Sequence, residues 1–251
     1  EAVKVLVVDG DPRPDARETR FVVEVLNPFP DPETTGTMFR PRVIDDRRFN
    51  LRQENLGDYD LIVLANVGRI DPEVAKELET VVRAGRGLML FVGDLVDLAS
   101  WNETLYRPDG TGLLPARLVE ASGDVGAAWD QALTLRIDDF SHPVLKLFED
   151  ESMRQNLRGR VRRFFKTEFG ARDTGSSTLI GLDDDPSRPS PLLVEKGLGR
   201  GRVVLWTTTA DDDWTDLPNL GFAFLPLMHE LATWLTLPDL RRFNLEVAEA
   251  I

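Results

Sequence analysis

The sequence predicts an α/β fold: a three-layer sandwich with a mainly parallel sheet and a β-rich extension. Three apolar runs carry that prediction: VKVLVVD (3–9), YDLIVLANV (59–67) and GLMLFVGD (87–94). Strands buried on both faces read as continuous apolar stretches, and segments of helical periodicity lie between these three. Alternation of that kind implies parallel strands with helices on both faces.

The first run ends on Asp9-Gly10-Asp11, so a buried strand feeds a carboxylate-bearing loop. Pro14 to Leu26 has Phe21, Val22, Val25 and Leu26 on one helical face. Pro28, Pro30, Pro32 and Gly36 then predict an extended loop, and Arg42-Val43-Ile44 a short strand. After the second long run, Asp71 caps a helix with Pro72 in its first position; Val74, Leu78, Val81 and Val82 repeat at helical spacing and Gly85 ends it. Residues 101–118 read as an excursion with little periodicity. LTLRIDDFSHPVLKLF (133–148) predicts a strand, a turn and a short helix. Residues 161–169, 177–182 and 191–196 suit an antiparallel extension, with the acidic, proline-containing loop 183–190 exposed. GRGRVVLWTTT (199–209) is a glycine turn entering another buried strand, and Leu225, Met228, Ala232 and Leu235 mark a closing helix with Pro226 near its first turn. We expect residues 1–238 to form one α/β domain and 239–251 to be a linker to a following segment. The chain starts at Glu1 rather than Met, which suggests a processed chain or a piece of a longer one.

Composition narrows the functions. At 42% hydrophobic and 29% charged residues the chain suits a globular protein. A net charge of −13 argues against nucleic acid as a partner. No apolar stretch reaches the ~20 residues of a membrane-spanning helix. Cysteine is absent, which removes disulfides, thiolate metal sites and thiol nucleophiles together. A phosphorylated receiver domain, whose opening strand and acids look similar, needs an aspartate ending its third strand; the counterpart here is Ala65-Asn66, so phosphotransfer is rejected.

Four segments in order, YDLIVLANV, VVRAGRGLMLFVGD, DDFSHPVLKLF and GRGRVVLWTTTADDDW, resemble the flavodoxin-like, class I glutamine amidotransferase-like fold and its ThuA-like branch. VLVVDGDP, LANV, GLLPARL, SHPVL and FLPLMHEL look like the corresponding domain of Bat-type (aerotolerance) bacterial membrane proteins, which carry a von Willebrand factor A domain. The resemblance implies upstream membrane helices, an extracytoplasmic (periplasmic) location, with the cytoplasm as the alternative, and partners that are other domains of the same membrane protein and associated proteins. It also exposes a departure. A working amidotransferase needs a cysteine on the sharp turn after LMLFVGD, backed by a histidine; here Gly93-Asp94 stands at that elbow, and Thr207-Thr208-Thr209-Ala210-Asp211 follows the later strand. No G-x-S-x-G offers a serine instead. His142 reads as a turn or capping residue and His229 as a surface or helix-packing one.

No catalytic residue is therefore assigned. Asp9, Asp11, Asn66, Asp94, Asp97 and Asp211-Asp212-Asp213 all follow expected strands, where open α/β sheets bind ligands. One reading makes Asp9, Asp11, Asn66, Asp94, Asp211, Asp213 and Trp214 a ligand pocket, with Asp9, Asp94 and Asp211 offering oxygens to Mg²⁺ or Ca²⁺. The other makes the acids helix caps and solvated loops that need no cofactor, with Trp214 and Trp101 packed internally. Gly10 and Gly93 are expected to relieve backbone strain at tight turns. The function expected is a non-catalytic binding or scaffolding domain; the alternative is a ThuA-like hydrolase or sugar-processing enzyme working through strand-end carboxylates.

Overall fold

A computed structural model describes residues 2–11, 13, 18–28, 38–170 and 175–237. The chain forms β1 (Val3–Asp9), α1 (Arg20–Leu26), β2 (Phe39–Asp45), α2 (Asp46–Asn50), β3 (Leu61–Ala65), α3 (Pro72–Arg83), β4 (Gly87–Phe91) and α4 (Leu98–Leu105). There follow β5 (Arg117–Gly123), β6 (Leu133–Arg136), a 3-10 helix over Pro143–Glu149 and α5 (Glu151–Arg154). β7 (Arg160–Val161), β8 (Arg163–Glu168), β9 (Ser176–Leu182), β10 (Pro191–Leu198), β11 (Gly201–Trp206) and α6 (Gly221–Thr236) complete it.

The main sheet is nine-stranded in the order β2-β1-β3-β4-β11-β10-β9-β6-β7. Strands β2, β1, β3, β4 and β11 are parallel, and the other four continue the sheet antiparallel. The parallel half has the 2-1-3-4-5 order of flavodoxin-like folds, with β11 as the fifth strand. Strand alternation divides the apolar side chains between two cores. Val5, Val7, Val63, Phe91 and Trp206 pack beneath α1 and α6, with Phe91 and Trp206 stacked at 5.8 Å. Leu6, Val8, Ile62, Leu64 and Leu205 pack beneath α3 and α4. In α3, Leu78 and Val82 are fully buried, worth about 2 kcal/mol each by apolar area. Asp71 accepts from the Glu73 N–H at 2.9 Å, and Gly85 adopts a φ of +118° beyond the last turn, as its position after the helix predicts.

Several boundaries differ from the sequence reading. The helix expected from Pro14 is described only over α1. Residues 98–105, within the supposed excursion, are helical, because Asp97 caps them (Ser100 N–H at 3.0 Å) and Trp101 and Leu105 anchor one face. α6 begins at Gly221, which puts Pro226 inside it at the sixth residue, where only the bond to the Phe222 carbonyl is forfeited. The 161–169 segment does not extend the main sheet as one strand: β7 lies at its far edge, and β8 pairs with β5 in a separate two-stranded ribbon. That ribbon passes close to the end of β11, since the Phe165 N–H donates to the Thr207 carbonyl at 2.7 Å. The linker expected over 239–251 lies outside the described residues.

Candidate functional site

Ligands in doubly wound sheets bind where the chain leaves adjacent parallel strands in opposite directions, which here is between β1 and β3. The chain closes that crevice on itself. The Gly10 N–H donates to the Ala65 carbonyl at 2.9 Å, and a Cβ on Gly10 would lie 2.0 Å from the Asn66 carbonyl oxygen. Asn66 ends β3 with φ +51°, a left-handed conformation that asparagine tolerates better than most residues. A Cβ on Gly93 would lie 2.3 Å from Asn66 Cγ. Neither glycine has a positive φ, so the expectation that they relieve turn strain is corrected. Both make room for Asn66, and Asn66 holds the unusual backbone.

The Asn66 side chain is fully buried and uses both halves of its amide. Its Nδ2 donates to Glu18 Oε1 at 2.6 Å and Asp94 Oδ1 at 2.9 Å, while its Oδ1 accepts from the Leu95 N–H at 2.9 Å. Glu18 is buried, and its Oε2 has no hydrogen-bond partner among the described residues. Burial and then the charge of Asp211 push its carboxyl up to about 8, against the lowering effect of the Asn66 bond. At neutral pH Glu18 therefore holds its proton. Burial also lifts Asp211 to about 6, although the bond from the Asp213 N–H opposes it. One Asp211 oxygen accepts that N–H at 3.1 Å and the other has no partner among the described residues. Asp9 is raised by burial too; it accepts from the Asp11 N–H at 3.0 Å and from Thr19 Oγ1 at 2.8 Å.

Of the other sequence candidates, Asp11 and Trp101 separate from this buried cluster, while Asp94 joins it to an open cleft. Asp11 is clamped by Arg13, whose guanidinium holds its carboxyl below the usual carboxylate range. Trp101 is fully buried and donates its indole N–H to the Val67 carbonyl at 2.9 Å, so it packs the core. Asp94, which also accepts from Asn66, lines an open cleft of about 420 Å³ with Asp213, Trp214, Val125, Arg162 and Arg163. The strand ends thus carry two compartments: a closed acid cluster at β1/β3 and an open cleft at β4/β11. Among the described residues no three His, Asp or Glu side chains are gathered as a metal-holding group. His142 caps the 3-10 helix, accepting from the Val144 N–H at 3.3 Å, and its Nε2 lies 3.2 Å from Glu195. His229 packs edge-on against Phe39 with Nε2 2.7 Å from the Val25 carbonyl. Both match their expected structural roles. Sequence reasoning missed Glu18, Arg162 and Arg163.

No protein-family model and no curated protein matches the chain. Solved structures do. The cytoplasmic protein STM3548 from Salmonella typhimurium superposes with a TM-score of 0.66 at 13% identity, over 93% of this chain and 98% of that one. A ThuA-like protein from Bacteroides uniformis gives 0.60 at 13% identity, over 94% and 92%. A β-galactosidase from Bacillus circulans sp. alkalophilus gives 0.54 at 12% identity, over 95% of this chain but only 32% of that one. At these identities the likeness shows the fold alone, a flavodoxin-like, class I amidotransferase-like α/β fold that the ThuA-like protein shares.

Proposed function

We propose that this ThuA-like fold serves as a non-catalytic binding module within a larger, membrane-anchored bacterial protein facing the periplasm. One observation carries the non-catalytic part. The space a nucleophile's Cβ would take at Gly93 is held by Asn66, itself locked by three hydrogen bonds. Asn66 thus fills the space a nucleophile's side chain would need there. Gly93→Cys is accordingly expected to give no ammonia release from glutamine or simple amides, and to lower stability by about 1–3 kcal/mol through overpacking. Amidase turnover in Gly93→Cys at wild-type stability would reverse the reading. The module role is supported by the β-galactosidase likeness, in which the fold occupies about a third of a longer chain. A topology reporter fused after residue 251 of the full-length protein tests the membrane side.

A second reading, a ThuA-like hydrolase, draws on the raised carboxyls of Glu18 and Asp211, since an acid held protonated near neutrality suits general acid chemistry. Hydrolysis of a glycoside or ester that disappears in Glu18→Gln would favour it. Divalent cation binding at Asp9, Asp94 and Asp211 belongs with either reading. Millimolar Mg²⁺ or Ca²⁺ should then raise Tm in the wild type, and Asp94→Asn should remove the shift.

A further inference from the structure

The cleft at the ends of β4 and β11 has an unusual charge arrangement for a chain of net charge −13. Its two arginines have no carboxylate within ion-pair distance among the described residues. Arg162 lies 3.8 Å over the Trp129 ring and gives one Nη2 bond to the Asp213 carbonyl at 3.0 Å. Arg163 sits 5.1 Å over the Trp214 ring and makes no side-chain hydrogen bond among the described residues. The Nε of each is buried without a partner among the described residues. Their backbone, by contrast, is fastened. The Arg162 and Arg163 N–H groups donate to the Trp214 carbonyl at 2.8 and 3.4 Å, and Thr208 Oγ1 donates to the Arg163 carbonyl at 3.1 Å.

From this geometry we propose that the cleft binds a small ligand through its carboxylate, with Arg163 as anchor and Arg162 beside it. This rests on the binding-module reading and names the ligand chemistry of its open compartment. Both guanidiniums line the cleft without a carboxylate partner among the described residues, and a carboxylate bound there supplies one. Aromatic stacking and the anchored backbone hold the forks in place before a ligand arrives, which lowers the ordering cost of binding. Asp94 and Asp213 share the wall. They disfavour a multiply charged anion such as phosphate and accept bonds from hydroxyl or ammonium groups next to the carboxylate. A cleft of about 420 Å³ suits a molecule of sugar or amino-acid size. Such a carboxylate has two sources, an acidic sugar or an amino acid.

Calorimetric titration with D-glucuronate and with L-glutamate distinguishes the two, with glucose and inorganic phosphate as controls. Saturable binding of glucuronate or glutamate is expected, at least tenfold tighter than glucose or phosphate and weakened at least tenfold in Arg163→Gln. Arg163→Lys keeps the charge but not the fork, and is expected to weaken binding several-fold; it serves as the test if the glutamine variant does not fold. Absence of binding by both carboxylates, equal binding of phosphate, or affinity unchanged in the arginine variants overturns the proposal. None of these outcomes bears on turnover, so the non-catalytic reading stands or falls separately on the amidase and hydrolase assays.

Discussion

Glu18→Gln is expected to raise the urea midpoint at pH 8 and to leave it nearly unchanged at pH 4.5. In the folded chain the Glu18 carboxyl titrates at about 8 instead of 4.5 because it is buried beside Asp211, Asp9 and Asp94. A carboxyl raised on folding binds more protons in the native state than in the unfolded one. Its contribution is therefore intact below pH 4.5 and is lost progressively as pH rises to 8. The full loss corresponds to at most about 5 kcal/mol. We expect about 3 kcal/mol of recovery in the variant at pH 8, because the Gln side chain remains buried and its amide needs an acceptor. Its oxygen can still accept from Asn66 Nδ2, as Glu18 Oε1 does at 2.6 Å. Asp211, raised from 3.8 to about 6, leaves a smaller residual slope between those values in both proteins. Parallel stability curves for the two proteins from pH 5 to 8 would show that Glu18 is ionised throughout, and the account of the acid cluster would fail.

Glu18 also shows what the sequence leaves hidden. The β-branched strands, the Asp71-Pro72 helix start and the Gly85 stop are local signals, and each appears where its residues predict it. Asp94, Asp213 and Trp214 were found because strand ends are where this architecture gathers side chains, and they do line one cleft. Glu18 lies just before α1, well beyond the end of β1. It reaches Asn66 across 48 residues of sequence, and only the folded chain brings the two together. Arg162 and Arg163 looked like part of an ordinary strand. Their role depends on β8 leaving the main sheet to pair with β5, a long-range choice with no local signature. Gly10 and Gly93 were visible as glycines, but their purpose was not: both are small because of a third residue's side chain or backbone.

Asn66 is that third residue, and Asn66→Ala is expected to cost about 2–5 kcal/mol. Two separable effects contribute. Alanine at φ +51° loses the tolerance asparagine has for the left-handed region, about 1–2 kcal/mol. Removing the amide also leaves the Leu95 N–H without its acceptor and takes the shared donor from Glu18 and Asp94, about 1–3 kcal/mol in buried surroundings. Two further variants divide the sum. Asn66→Gly restores the backbone freedom but not the bonds, so it should recover only the first part. Asn66→Asp keeps an acceptor for Leu95 but cannot donate, and it sets a further carboxyl between Glu18 and Asp94. It should therefore be milder at pH 5, where Glu18 holds its proton, and worse at pH 8, where the Glu18 carboxyl ionises beside the new one. Urea unfolding of the three variants at both pH values checks the ordering. If Asn66→Gly is as stable as wild type, backbone strain alone governs the position, and the hydrogen-bonded keystone described for the β1/β3 crevice is not what holds it shut.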